Sequence, residues 1–280
     1  MKLIRKLDFE EAKFSLYFLA FDNPGAESAG RQWTDREGIL ELTHNYGTED
    51  DDNYRVNNGN VEPHRDISIT ADHLERACGR LESNNVPFQK RLQEGRMENI
   101  AFALDPDGYW VGIIGQKRSD PASTSTNLDV YRFNRTALRV KDAEKSLQFY
   151  RSVLGMSLLR TIEQPEAGFN LYILGYRRGG EEEDSLVDRE GLVELMWNYG
   201  TEKDEGFKYH NGNEEPQGFG HLCISVDDLD AACARFEDLK TNWKKRLTDG
   251  RMKNVAFILD PDNYWIELIL LFSTFPLPPV

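Results

Sequence analysis

Three glutamates and one histidine stand where apolar strand sequence should continue. Glu41 interrupts ILELT, Glu194 interrupts LVELM and Glu267 interrupts YWIELILL, each with apolar neighbours on both sides. A carboxylate withdrawn from water is strongly disfavoured or takes up a proton unless a cation or hydrogen bonds satisfy it. A glutamate reaching solvent at a strand edge, or paired to Lys or Arg, would account for any one of them, but three at corresponding positions call for more. His221 lies in GFGHLCISV, where Leu222, Ile224 and Val226 alternate with His221, Cys223 and Ser225, so the imidazole points away from the aliphatic face. A lone strand histidine can be a satisfied structural residue. Gly218 and Gly220 permit close backbone approach just before it. One imidazole nitrogen and two carboxylate oxygens on neighbouring strands suit a borderline or hard divalent ion that keeps positions open for water or substrate.

These residues are carried by an internal repeat. KRLQEGRMENIAFALDPDGYW (90–110) recurs as KRLTDGRMKNVAFILDPDNYW (245–265), an offset of 155, and GILELTHNYGTE (38–49) recurs as GLVELMWNYGTE (191–202), an offset of 153. Self-similarity at a nearly fixed offset means repeated architecture. In the second copy, alternation and helical spacing predict a strand over 136–140, a helix over 143–154, and strands over 157–162, 170–176 and 192–196. The order then repeats, with a strand over 221–226, a helix over 229–239, and strands over 243–247, 254–259 and 265–270. The fold class is α+β, built from tandem βαβββ modules. Met1 aligns with Met156, so the first module reads as truncated at its N-terminus, without its first strand and helix. The predicted division is a first domain over 1–116, a polar Ser/Thr/Pro-rich linker over 117–128, a second domain over 129–272 and a tail over 273–280.

Composition narrows the classes. The 280 residues suit two domains, and no apolar run approaches the ~20 residues of a membrane span, which argues against a transmembrane protein. With 34 basic and 48 acidic residues the net charge is −14, which repels phosphate backbones and makes generic nucleic-acid binding unexpected. Three cysteines and no basic-then-apolar leader at Met1 point to a reducing, cytoplasmic setting.

Taken together, NRTALRVKD with KSLQFYRSVLGM, LELTHNYGTE, NGN with EP and GFGH, and DPDNYWIEL resemble glyoxalase I, the lactoylglutathione lyase family of the vicinal-oxygen-chelate superfamily, in its fused two-domain form. The resemblance covers nearly the whole chain. It implies a zinc or nickel site shared between modules, with glutathione as cosubstrate. Carried over residue by residue, one site combines Glu41, His221 and Glu267, its remaining ligand falling on a strand ahead of Met1. The second combines Arg135, Glu194, Asp66 and Gly112. There Arg135 stands where the family has Gln or His, Asp66 falls opposite His221 in a shortened segment, and Gly112 replaces the counterpart of Glu267. That site is expected to be degenerate, with Arg135 free to pair with Glu194 in place of a metal.

The reaction implied is isomerisation of the methylglyoxal–glutathione hemithioacetal to S-D-lactoylglutathione through a metal-bound enediolate. Glu267 is the implied base and a ligand, Glu41 a second carboxylate ligand that assists on the opposite face, and His221 the nitrogen ligand. Asn45, Lys245, Gly250, Arg251 and Trp265 match positions that contact glutathione or line the pocket, although each also reads as an ordinary turn, surface or core residue. The expected partner is a small molecule, with no nucleic acid or membrane, and the fused halves predict a monomer. An impaired protein of the same fold that only binds glutathione conjugates is the alternative reading. A non-haem iron dioxygenase, needing two histidines and a carboxylate, fits less well: His44 lies on the opposite strand face from Glu41, and His64, His73 and His210 fall in turns or helix starts.

Overall fold

The computed structural model describes residues 1–271 except 25, 27, 58–65, 96–98, 117–122, 179–182 and 251. The expected tail over 273–280, the start of the expected linker, and Arg251 and His64 therefore lie outside the described residues. Two compact units are present: Met1–Trp33 with Glu37–Leu138 and Gly179–Glu194, and Thr34–Arg36 with Arg139–Arg178 and Leu195–Val280. Among the described residues no helix is long and apolar enough to cross a membrane.

In the first unit, β1 (Lys2–Phe9), β2 (Phe14–Ala20) and β3 (Leu40–Asn45) form an antiparallel meander. Its first turn closes where Phe9 stacks on Phe14 at 4.8 Å and Lys13 adopts φ 62°. There follow β4 (Asp66–Ala71), α1 (Leu74–Ser83), β5 (Phe88–Lys90), β6 (Ile100–Leu104) and β7 (Trp110–Gly115), in the sheet order β5-β6-β7-β4. β4 and β7 run parallel, as a crossover through α1 requires. Ala71, Ala77 and Ile113 form the core between helix and sheet, with Ile69, Leu74 and Leu81 packed on it. β8 (Arg132–Val140) then pairs antiparallel with β4, placing Arg135 opposite Ser68.

The two copies of the Gly-Leu/Ile-Val/Leu-Glu segment meet within this unit. A Cβ on Gly191 would stand 2.9 Å from Glu37 Cβ, and one on Gly38 would stand 3.0 Å from Glu190 Cβ. Both glycines hold positive φ, 69° and 70°, so the positions are closed to side chains on two counts.

In the second unit, Asp142 caps α2 (Ala143–Gln148) by accepting from the amides of Glu144 and Lys145 at 3.1 and 3.2 Å. The helix expected over 143–154 is α-helical to Gln148 and widens to a π-helical turn over Phe149–Val153. β9 (Ser157–Gln164) and β10 (Phe169–Gly175) form a hairpin, and β11 (Leu192–Asn198) follows, beginning in the first unit. The last module is β12 (His221–Val226), α3 (Leu229–Asp238), β13 (Asn242–Lys245), β14 (Val255–Leu259) and β15 (Trp265–Leu270), in the order β12-β15-β14-β13. β13 stops at Lys245 rather than at 247. Ala256, Ile258, Ile266 and Leu268 are fully buried on one face of this sheet, with Phe236 of α3 also in the core.

The turn into β15 is held from both sides. Asp260 accepts from the amides of Asp262 and Tyr264, each at 2.9 Å, and from the Tyr150 hydroxyl at 3.0 Å. Asp262 accepts from the Lys141 amide at 3.1 Å, just after β8 ends. Burial and the neighbouring Asp262 push Asp260 up to about 7, and burial pushes Asp262 up to about 6.

Candidate metal centre

β12 and β15 are parallel neighbours with His221 opposite Trp265 and Cys223 opposite Glu267. Alternation sends Ile266 and Leu268 into the core and leaves Trp265 and Glu267 half-buried on the other face. There His221 Nε2 lies 3.1 Å from Glu267 Oε2, with side chains 19% and 17% exposed. Phe257, opposite Glu267 on β14, sets its ring edgewise to the imidazole at 5.6 Å and meets the Trp265 ring at 5.6 Å. An aromatic wall therefore fixes the imidazole while its nitrogen faces a carboxylate.

That donor pair fits a divalent ion. The imidazole nitrogen and the carboxylate oxygen stand at ion-pair distance. Two ligand atoms bound at ~2.1 Å to one ion stand roughly 3 Å apart, so a dication would fit between these two atoms with little movement. Glu41 lies on β3 of the first unit, half-buried and opposite Phe18. Glu41, His221 and Glu267 can each offer one ligand atom.

The first unit brings together the other four predicted residues. Arg135 Nε lies 2.8 Å from Glu194 Oε2, with side chains 15% and 10% exposed. Ser68 pairs with Arg135 on one side and Gly112 on the other. A Cβ on Gly112 would stand 2.8 Å from Ser68 Oγ, 3.2 Å from Ile100 Cδ1 and 3.3 Å from Asp66 Oδ2. The volume that the counterpart of Glu267 would need is occupied, and the Arg135 guanidinium stands at ion-pair distance from the buried carboxylate without an aligned hydrogen bond between Nε and Oε2. Ser68, whose hydroxyl fills this space, was missed by sequence reasoning; an unremarkable strand serine gives no signal of it.

The expected substrate residues are distributed as follows. Asn45 ends β3, half-buried, its carbonyl accepting from Thr48 Oγ1 at 2.8 Å. Gly250 occupies an exposed turn at φ 61°. Trp265 is half-buried beside His221. The Lys245 ammonium donates to the carbonyls of Met252 and Val255 at 2.6 and 2.7 Å, which makes it a strap across the turn that follows β13. Of the other described histidines, His44 Nε2 meets Glu49 Oε2 at 2.9 Å and His210 Nδ1 accepts from the Gly212 amide at 3.0 Å, while His73 is buried at the start of α1.

The family model for the Glyoxalase/Bleomycin resistance protein/Dioxygenase superfamily matches residues 1–113 and 132–268. A lactoylglutathione lyase of Schizosaccharomyces pombe is 50% identical over 96% of this chain and 88% of its own length. A glyoxalase I of Saccharomyces cerevisiae is 48% identical over 96% of this chain and 84% of its own. Among solved structures, a glyoxalase I variant from Zea mays superposes with a TM-score of 0.67 at 25% identity, covering 96% of this chain and 83% of the other.

Proposed function

We propose how the work is divided among residues in a chain that belongs to the Glyoxalase/Bleomycin resistance protein/Dioxygenase superfamily. It is a lactoylglutathione lyase of the glyoxalase I type, isomerising the hemithioacetal of methylglyoxal and glutathione to S-D-lactoylglutathione. The observation that carries the residue assignment is the half-buried His221–Glu267 pair at 3.1 Å.

His221, Glu267 and Glu41 hold zinc or nickel in this reading. Support for Glu41 comes from the repeat: in the first unit Glu194, its counterpart, is set against β8 beside the counterparts of His221 and Glu267, which are Asp66 and Gly112. When bound, the metal supplies a Lewis acid that polarises the substrate oxygens and offsets enediolate charge. Glu267 moves the proton between the two adjacent carbons, a transfer that a placed carboxylate accelerates by about 10²–10⁴. Glu41 assists on the opposite face. Phe257 and Trp265 wall the reacting carbons from water and hold the imidazole in place. Lys245 fixes the turn that carries Gly250, and Asn45 and Arg251 complete the substrate contacts. The second site, with Arg135, Glu194, Asp66 and Gly112, is inert. The protein works as a monomer in the cytoplasm on a small molecule, without nucleic acid or membrane; the fused halves and three free cysteines support that setting.

The test is thioester formation at fixed hemithioacetal, starting from metal-free protein. Zinc or nickel is expected to switch turnover on, and Glu267→Gln to abolish most of it. Tight binding of an S-substituted glutathione without turnover under any metal would instead establish a protein that only binds conjugates.

A further inference from the structure

We propose that Lys244 receives a carboxylate of the glutathione moiety and so sets affinity for the anionic cosubstrate. The inference rests on the lyase reading above and names a contact within it. β13 pairs with β14 through Asn242–Leu259, Trp243–Ile258 and Lys245–Phe257, and the register shifts after Trp243. That shift is a β-bulge, which inserts Lys244 as an extra residue and re-aims its side chain. The result is a Lys244 ammonium 4.7 Å from the centroid of the Trp265 ring. Trp265 shares its sheet face with Phe257, Glu267 and His221, so the cation sits at the border of the candidate centre.

The neighbouring lysine is committed elsewhere, and the repeat shows that this is structural. Lys90, the counterpart of Lys245, donates to the carbonyls of Ile100 and Arg91 at 2.8 and 3.3 Å. Lys245 does the same with Met252 and Val255. A lysine therefore straps this turn in both halves, including the half whose metal positions hold Arg135 and Gly112. The position before it differs: Gln89 in the first half, Lys244 in the second. The cation occurs only in the module that has His221 and Glu267.

Among the described residues the Lys244 ammonium has neither a carboxylate nor a hydrogen-bond partner, and its side chain is exposed. A chain of net charge −14 repels at long range a tripeptide that carries two carboxylates and one ammonium, unless a local cation offsets the field. An ammonium over an aromatic face, facing outward and uncommitted, can take that charge.

The experiment titrates metal-loaded protein with S-hexylglutathione and with two analogues, each having one carboxylate blocked, reading tryptophan fluorescence. Lys244→Gln, which installs the residue of the other half, is expected to weaken S-hexylglutathione binding about five-fold, to raise KM for the hemithioacetal rather than lower kcat, and to erase the penalty for one of the blocked analogues. Lys244→Arg keeps the charge and should keep the affinity. An unchanged Kd in Lys244→Gln, or blocked-analogue penalties that persist in it, overturns the proposal. Failure of the unaltered protein to bind any S-substituted glutathione overturns the lyase reading instead, so the two failures are distinct.

Discussion

Replacing Arg135 with glutamine asks whether a guanidinium has taken over the role of a cation beside Glu194. Its Nε lies 2.8 Å from Glu194 Oε2, and Glu194 is flanked by buried Leu192, Val193 and Leu195. Deleting one partner of a buried pair costs roughly 3–5 kcal/mol, because the remaining charge has neither water nor counter-ion. The residual exposure of the side chains, 15% and 10%, places this pair at the lower end, about 3 kcal/mol. For a chain of this size that lowers Tm by about 5 °C. Adding Glu194→Gln removes the orphaned charge, so the double variant should recover most of the loss. The four-protein cycle should then give a coupling of at least about 2 kcal/mol. Thermal and urea melts at pH 7 with chelator present keep metal binding out of the comparison. Zinc should not rescue Arg135→Gln, since Ser68 and Asp66 fill the space beside Gly112. Single variants whose effects simply add, or an Arg135→Gln protein as stable as its parent, would refute the reasoning.

Three further outcomes are expected. Glu267→Gln should lower kcat by about 10²–10⁴, and a variant with parental kcat removes Glu267 from proton transfer. Because Asp260 and Asp262 are raised to about 7 and about 6, the folded chain keeps protons that the unfolded chain releases above pH ~4. Their contribution is complete below that pH and is lost as pH rises through about 7, so the parent's urea midpoint should fall over this window relative to Asp260→Asn; parallel curves would contradict the burial argument. Lys245→Met should cost about 1–2 kcal/mol by leaving the carbonyls of Met252 and Val255 without their donor, and an unchanged melting curve would mean that the strap is idle.

Period-two alternation was enough to locate β12 and β15 to the residue, because no turn-forming residue interrupts either strand. The spacing of Leu147, Tyr150 and Leu154 correctly marked a helix but was blind to its widening after Gln148, since a π-turn adds a single residue without disturbing which side is apolar. An acidic residue in an apolar strand announces that it has a partner without saying which. For Glu194 the partner became visible only with β8 in place, as Arg135. Lys245 read equally well as a substrate contact or a surface charge; its acceptors lie seven and ten residues downstream, in a turn that hydropathy does not encode. A bulge leaves no compositional trace either, which is why Lys244 went unnoticed while its neighbour drew attention.

The reciprocal approach of Gly38 to Glu190 and of Gly191 to Glu37 has the form of an isologous contact: the same two residue types meet twice, with the roles of the copies exchanged. Such a seam is what a two-fold symmetric pair of separate subunits would present, here written into one covalent strand of peptide. Covalent linkage removes the concentration dependence of pairing, and it also frees the two copies to diverge.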